Sequence, residues 1–145
     1  MRVAVIGAGI LGASTAFHLA RAGAEVVVID RADPGRATQA GAGIVAPWLS
    51  EATDPAWYRL AAGGAALYPA LVAALAERGE HDAGHAVVGA LAVDRDPARL
   101  ARLAALVAAR AAPAAGAPAL LAPGEAARLF PPLDPALAAL HLPGA

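Results

Sequence analysis

The sequence predicts an α/β protein that opens with a strand–helix–strand unit, and three observations support this prediction. An apolar run, Val3–Ile6, is followed at once by the glycine pattern G-x-G-x-x-G over residues 7–12. A helical segment and a second apolar run at residues 25–29 come next. That run closes on an acid, Asp30. This order of strand, glycine turn, helix, strand and acid is the one that a dinucleotide-binding unit requires.

Each glycine of the pattern has its own physical role. Gly7 lets the chain turn sharply out of the first strand, and Gly9 lets the backbone approach a pyrophosphate because it has no Cβ. Gly12 lets the helix pack closely on the strand. The helix that follows offers backbone N–H groups and a positive dipole end to phosphates. Asp30 lies 18 residues after Gly12, where it can accept hydrogen bonds from the adenosine ribose hydroxyls.

The next elements follow from spacing and turn residues. The first helix is predicted over residues 10–22, with Leu11, Thr15, His18 and Leu19 at helical spacing, and it ends at Gly23 in the left-handed conformation. The second strand, residues 25–30, is apolar on both faces, as in a parallel sheet that is covered on both sides. After a turn at residues 33–35, the small residues of 36–47 can lie against a ligand, although a flexible loop fits this segment equally well.

A long helix is predicted from Asp54, which can cap it, with Pro55 in the first helical position. Trp57 and Tyr68 are expected in the core. The uncharged run at residues 60–76 is shorter than the ~20 apolar residues of a membrane span, so we predict a buried helix there. One apolar face is expected from residues that step by three and four: Trp57, Leu60, Gly64, Leu67, Leu71 and Leu75.

The rest of the chain alternates short helices and strands. A helix capped by Asp96 carries Leu100, Leu103 and Val107 on its apolar side. Three arginines near its start, Arg95, Arg99 and Arg102, are expected to form a solvated face. The remaining predictions are a polar turn at 77–84, a strand at 86–93 with Gly89 inside, a loop at 111–119, a short helix at 123–130 and a strand at 137–142.

Composition excludes several classes of protein. The net charge is −1 without a basic stripe, so neither nucleic acid nor an anionic membrane is an expected partner. The absence of cysteine excludes disulfides, thiolate metal sites and a cysteine nucleophile, and it fits a cytoplasmic protein. His81 and His85 lie four apart, but a nearby glycine favours a solvated turn over a metal site. The glycines and polar residues of 7–18 also make a poor apolar core for a signal peptide.

Residues 7–31 (GAGILGASTAFHLARAGAEVVVIDR) and 36–48 (RATQAGAGIVAPW) together resemble the N-terminus of the D-amino-acid oxidase-like flavoproteins. This family includes glycine oxidase, sarcosine oxidase and the D-amino-acid dehydrogenases. Its members share the dinucleotide pattern, an acid followed by arginine, and a loop A-S/T-x-x-x-x-G that leads to an apolar pair and proline. The corresponding residues here are Asp30-Arg31, Ala37-Thr38, Gly43-Ile44 and Pro47. The resemblance is softer over residues 88–142.

The resemblance implies FAD as the cofactor. It places Asp30 at the ribose, Arg31 beside the adenosine end, and Thr38, Gly43 and Ile44 along the pyrophosphate and flavin. It also implies a Rossmann-like FAD/NAD(P)-binding domain that begins in residues 1–85 and the start of an α+β substrate domain in residues 86–145. The pyrophosphate would be held by Gly7, Gly9, Ile10, Leu11 and Gly12.

Two nucleotide-binding strands are fewer than a doubly wound sheet needs, so we expect an incomplete fold. The missing C-terminal half of the same protein would complete the sheet and bring the catalytic and substrate-binding residues from beyond Ala145. The 145-residue piece alone is therefore expected to be inactive.

The resemblance implies oxidative deamination, in which a hydride passes from the α-carbon of an amino acid or amine to the flavin and water hydrolyses the imine. Oxygen and a membrane quinone both remain open as the electron acceptor. One alternative is an NAD-dependent dehydrogenase, since Asp30 permits NAD, but the small-residue loop after the second strand favours FAD. A non-catalytic nucleotide-binding fragment is the other alternative.

Overall fold

Residues 1–44 form a parallel β-α-β unit. In the computed structural model, which describes residues 1–110 and 115–145, β1 (Arg2–Ile6) pairs in parallel with β2 (Glu25–Ile29). The connection between them contains α1 (Ile10–Arg21), which packs on both strands. The structure thus confirms the α/β class and the predicted order of strand, glycine turn, helix and strand.

The end of α1 follows the predicted glycine signal. Gly23 has φ +85°, and its N–H donates to the carbonyl of Ala20 while the next residue donates to Leu19. A left-handed glycine satisfies the last helical carbonyls in this way. The buried position on α1 is Ala16, whereas Leu11 is exposed. The face expected from the larger side chains is therefore not the buried one.

The two-stranded sheet leaves apolar side chains of β2 open to solvent. Val27, Val28 and Ile29 point to alternate faces and are all exposed. The predicted sheet covered on both faces is therefore not complete within residues 1–44. Beyond β2, the predicted loop contains one unpredicted turn of helix, α2 (Ala37–Ala40).

Residues 45–145 form a second compact unit around a three-stranded antiparallel sheet. Its strands are β3 (Ala90–Asp94), β4 (Ala119–Leu121) and β5 (Ala138–Leu142), in the order β3-β5-β4. The predicted domain boundary at residues 85 and 86 concerns the whole protein and stays a prediction.

The core of this unit lies between the sheet and α4 (Pro97–Ala109). Leu100 is 2% exposed, and Leu103 and Val107 are also buried, as predicted. They pack with Trp48, which belongs to a short 3-10 helix at Pro47–Leu49, and with Leu140 of β5. Asp96 caps α4 by accepting the backbone N–H of Ala98 at 2.9 Å, which confirms the predicted start of the helix.

Two strand predictions in this unit are wrong in detail. Gly89 has φ +79° and lies outside β3, because a left-handed residue cannot continue an extended strand and the pairing with β5 begins at Ala90. Ala119, which was expected in a loop, belongs to β4 because β5 offers it a partner at His141. Residues 111–114 of that predicted loop lie outside the described residues. The predicted helix at 123–130 and strand at 137–142 are confirmed as α5 (Glu125–Leu129) and β5.

The long helix is α3 (Pro55–Ala76), and its start is confirmed because Asp54 accepts the backbone N–H of Ala56 at 2.8 Å. Its burial is not as predicted. Trp57 is 45% exposed and Leu60 is 79% exposed, whereas Ala65 packs against the core. The expectations of a buried helix and of Trp57 in the core are thus wrong, because the buried residues of α3 are the small Ala65 and Ala74. Within the described residues, α3 is the one helix whose length and composition would suffice to cross a membrane.

Arg110, just after α4, binds the segment that follows the 3-10 helix. Its guanidinium donates to the carbonyl oxygens of Trp48, Ser50 and Ala52, the last at 2.6 Å. The guanidinium carbon also lies 4.2 Å from the centre of the Tyr58 ring, a cation–π arrangement. Arg110 therefore fixes residues 48–52 against α3 and α4.

The predicted arginine face at the start of α4 is confirmed as a set of surface ion pairs. Arg95 pairs with Asp134 at 2.8 Å, and Arg99 bridges Asp94 and Glu51. All three arginines of this face have side chains that are open to water. Such exposed pairs contribute little to stability.

Candidate functional site

The glycine pattern forms a tight turn between β1 and α1. Gly7 has φ +100°, and its N–H donates to the carbonyl of Ile29 at 2.7 Å, which joins the turn to the end of β2. A Cβ at Gly12 would lie 1.9 Å from the carbonyl oxygen of Gly7. No side chain fits at Gly12, so the predicted close packing of helix on strand is confirmed.

The second glycine of the pattern, Gly9, lies against Thr38. A Cβ built at Gly9 would come within 3.1 Å of the Thr38 hydroxyl oxygen. That oxygen accepts the backbone N–H of Ile10 at 2.9 Å. The structure therefore brings together two sequence features that lie far apart in the chain, the glycine turn and the small-residue loop.

Asp30 closes the site from the end of β2. Its Oδ2 accepts the backbone N–H of Ala8 at 2.6 Å, and its Oδ1 accepts the backbone N–H of Ala32 at 2.7 Å. These bonds lower the pKa of Asp30, the one from Ala8 most strongly, and desolvation of the carboxylate opposes them. The positive charges of Arg36 and Arg31 lower the pKa further. The carboxylate is thus ionised and already bound to the glycine turn.

The cation that contacts Asp30 was not among the predicted site residues. Arg36 donates to Asp30 Oδ1 at 2.8 Å and has a side chain that is 31% exposed. Arg31, which was singled out from the sequence, pairs with Asp33 at 3.1 Å and is 88% exposed. The sequence pointed to Arg36 only through its position between the turn at residues 33–35 and Thr38. No spacing rule indicates that its side chain reaches back to the end of β2.

A cavity of about 540 Å³ lies at the carboxyl ends of β1 and β2. This volume is within the range of ligand pockets. Of the predicted residues, the cavity wall includes Gly7, Gly9, Asp30, Arg31 and Thr38. The remaining predicted residues, Ile10, Leu11, Gly12, Gly43 and Ile44, do not line it. Ile10 touches the site through Thr38, Gly12 lies under Gly7, and Gly43 (φ +72°) and Ile44 lie further along the chain.

The site supplies backbone donors and one carboxylate. Gly9 precedes α1 and provides no side-chain cap, and the N–H groups of Leu11 and Gly12 have no acceptor within residues 1–110 and 115–145. Such free N–H groups at a helix N-terminus bind phosphate oxygens. The donors, the absent Cβ at Gly9 and the nearby Asp30 fit the adenosine diphosphate part of a dinucleotide cofactor.

The part of the chain that the structure describes forms no cluster of metal ligands. No group of three or more histidine, cysteine, aspartate or glutamate side chains is placed to hold a metal there. His81 and His85 are both exposed. The ring of His85 stacks on the ring of Tyr68, with 5.4 Å between the ring centres.

A parallel β-α-β unit with a glycine turn, free helix N–H groups and a carboxylate after β2 defines a protein that binds a nucleotide cofactor. Comparison with known proteins identifies the family of nucleotide-binding proteins to which the chain belongs. Residues 2–145 match the family described as FAD dependent oxidoreductase (DAO), and the chain belongs to this family. Its cofactor is FAD, which confirms the resemblance inferred from residues 7–48 and disfavours the NAD-dependent alternative.

Three relatives show how much of a longer protein this chain covers. Iminodiacetate oxidase from Chelativorans sp. BNC1 is 52% identical, with a TM-score of 0.92, over 99% of this chain and 39% of its own. The oxidoreductase YurR of Bacillus subtilis (strain 168) is 46% identical over 97% of this chain and 38% of its own length. The glycine oxidase of Pseudomonas aeruginosa is 45% identical over 48% of this chain and 20% of its own length. The chain thus spans about two fifths of the first two relatives.

Proposed function

We propose that the protein containing this chain is an FAD-dependent oxidoreductase that oxidises an amino acid or a related amine. The observation that carries the proposal is the site at the ends of β1 and β2, where the glycine turn, Thr38 and Asp30 meet. When bound, FAD supplies the acceptor for a hydride from the carbon next to the substrate nitrogen. The residues of this chain bind and orient the cofactor.

Each proposed contact follows from a free group in the structure. The N–H groups of Leu11 and Gly12 donate to pyrophosphate oxygens, and Gly7 and Gly9 leave the space for them. Ile10 acts through Thr38, because the Thr38 oxygen accepts the Ile10 N–H and keeps its own proton for a phosphate oxygen. Asp30 accepts a ribose hydroxyl.

The remaining predicted site residues are proposed on position along the chain. Arg31 lies at the adenosine end, where it lines the cavity beside Asp30. Gly43 and Ile44 follow Thr38 and would continue toward the flavin ring. The left-handed backbone at Gly43 supports a sharp turn there.

We also propose a Rossmann-like FAD domain that is incomplete in these residues. Residues 1–85 begin this domain and residues 86–145 begin a substrate domain, as the sequence predicts. The exposure of Val27, Val28 and Ile29 supports the proposal that the remainder of the protein packs against β2 and buries these side chains. The share of about two fifths of its relatives supports a longer chain that supplies the substrate-binding and catalytic residues.

The substrate class rests on relatives. A protein named iminodiacetate oxidase is 52% identical to this chain, and another named glycine oxidase is 45% identical over about half of it. Both names denote small amines that carry carboxylates. We therefore propose that the substrate is a small amino acid or a secondary amine that carries carboxylates. We also propose a cytoplasmic location, and either oxygen or a membrane quinone as the electron acceptor.

The test is the visible spectrum of the purified full-length protein. We expect flavin absorption that bleaches when iminodiacetate, glycine or a D-amino acid is added without oxygen, and the substrate that bleaches it fastest identifies the class. A Gly9→Val variant serves as the control, since its side chain would collide with Thr38, and it should be colourless. A colourless wild-type protein that binds NAD but not FAD would refute the proposal.

A further inference from the structure

Arg36 contacts the acid of the cofactor site, Asp30, and lies two residues before Thr38, which contacts the glycine turn. Its guanidinium donates to Asp30 Oδ1 at 2.8 Å, after β2. Two residues later, Thr38 accepts the N–H of Ile10 at the start of α1. The stretch from Arg36 to Thr38 therefore touches both the acid and the glycine turn, and Arg36 belongs to the cavity wall.

Counting the lone pairs of Asp30 shows what Arg36 does to the carboxylate. An ionised carboxylate has about four acceptor positions. Oδ1 already receives Ala32 N–H and Arg36, and Oδ2 receives Ala8 N–H. One acceptor position therefore remains, and it is on Oδ2. With Arg36 in place, Asp30 can accept one ribose hydroxyl from one defined direction.

Arg36 also differs from the neighbouring cation, Arg31, in its environment. The Arg36 side chain is mostly covered, and its Nε is buried with no acceptor in the described part of the chain. The Arg31 side chain is almost fully exposed and paired with Asp33. Because water screens an exposed charge, Arg36 is the cation that offsets the repulsion between Asp30 and a nearby pyrophosphate.

We propose that Arg36 is a positioning residue for the cofactor: it holds the Asp30 carboxylate so that Oδ2 alone faces the ribose, and it compensates the charge of Asp30 beside the pyrophosphate. This inference rests on the proposed FAD function. It acts through Asp30, so the effect of Arg36 on binding depends on the presence of that carboxylate.

The experiment measures FAD and ADP binding to full-length apoprotein by quenching of flavin fluorescence and by ADP competition. Arg36→Ala is expected to weaken both ligands by a similar factor, about tenfold, because a charge-assisted hydrogen bond is lost. Arg36→Lys should restore most of the affinity, since it keeps the charge. Arg2→Ala, which removes an exposed ion pair with Glu25 away from the cavity, is the matched control and should bind within about twofold of wild type.

A double-mutant cycle separates positioning from a general charge effect. In an Asp30→Asn background, Arg36→Ala should add less than about twofold to the loss. Additive losses, or an Arg36→Ala protein that binds FAD like wild type, would overturn the inference. Arg36→Gln keeps a polar but shorter and uncharged side chain, and it replaces Arg36→Ala if that variant fails to fold. A wild-type protein that takes up no FAD would refute the proposed function and this inference with it, whereas normal wild-type binding with unaffected Arg36 variants would refute this inference alone.

Discussion

The hydroxyl oxygen of Thr38 accepts the backbone N–H of Ile10 at 2.9 Å, although 28 residues separate them. This bond gives the N–H of the first residue of α1 a side-chain acceptor, and it does not use the hydroxyl proton of Thr38, which can still be donated to an outside acceptor. The glycine turn and the loop after β2 are therefore joined before any phosphate arrives. Binding then requires less ordering of the loop.

The first prediction concerns this bond. Thr38→Val keeps the shape of the side chain but removes the acceptor for Ile10 N–H and the donor for a phosphate. We expect FAD affinity of the full-length protein to fall about tenfold and stability by about 1 kcal/mol, measured by fluorescence titration and denaturant unfolding. Thr38→Ser keeps the hydroxyl and should bind FAD like wild type. Equal affinity of the valine and serine variants would show that the hydroxyl has no role.

A pair of glycine variants tests the packing of the β-α-β unit. Gly12→Ala would place a Cβ 1.9 Å from the Gly7 carbonyl oxygen, so the turn must distort and we expect loss of FAD and a lower unfolding temperature. Gly63→Ala, inside α3, has no atom within 4 Å of the added Cβ. It should stabilise the protein by up to about 1 kcal/mol through helix propensity. A Gly12→Ala protein as stable as wild type would contradict the packing described here.

The contacts of Arg110 predict that removing this one side chain lowers the free energy of unfolding substantially. Arg110→Ala removes the hydrogen bonds to the carbonyls of residues 48–52 and the contact with the Tyr58 ring. We expect a loss of about 2–4 kcal/mol in the free energy of unfolding. Arg110→Lys cannot form the same planar fork and should recover part of it. Arg95→Ala, which removes an exposed ion pair, is the control and should cost less than about 1 kcal/mol.

Acid should weaken the fold through Asp30 and Asp94. Hydrogen bonds from backbone N–H groups lower the pKa of both carboxyls below the ordinary value of 3.8. At Asp30 the donors are Ala8 and, more weakly, Ala32. At Asp94 the donor is Asp96, and the Arg99 side chain lowers the pKa further. A folded-state pKa below the unfolded one means that the ionised groups stabilise the protein fully above pH 3.8. This stability is lost as the pH falls through the lowered values.

The measurement is the free energy of unfolding at a series of pH values from neutral down to the acid limit. Asp30→Asn and Asp94→Asn should each reduce the slope of stability against pH below about pH 4. Gly63→Ala, which changes no ionisable group, serves as the control and should leave the slope unchanged. A wild-type slope in both variants would show that neither carboxylate is held as described.

The secondary structure of the first 31 residues could be predicted because its signals are local. Glycine spacing fixes the turn at Gly7, and the apolar runs fix the two strands, which pair as expected. The same holds for the caps at Asp54 and Asp96, whose side chains bond the backbone two residues on. Local hydrogen bonding and backbone conformation therefore carried over directly from sequence to structure.

Features that depend on distant partners could not be predicted. Arg36 reaches Asp30 across a turn, and β4 forms only because β5 lies beside it. On α3 the pattern of large side chains indicated the wrong face, since Ala65 belongs to the same buried cluster as Trp48 while Trp57 remains exposed. In an alanine-rich helix, hydrophobic spacing alone does not identify the buried side.

The open side chains of β2 have a practical consequence for producing the protein. The two-stranded sheet carries the exposed side chains of Val27, Val28 and Ile29. A sheet of two strands has unpaired backbone groups along its edges, and such edges can pair with strands of other molecules. Residues 1–145 expressed by themselves should therefore self-associate and precipitate as their concentration rises. Refolding of this piece should succeed best at high dilution, and light scattering against concentration would be the appropriate assay of sample quality.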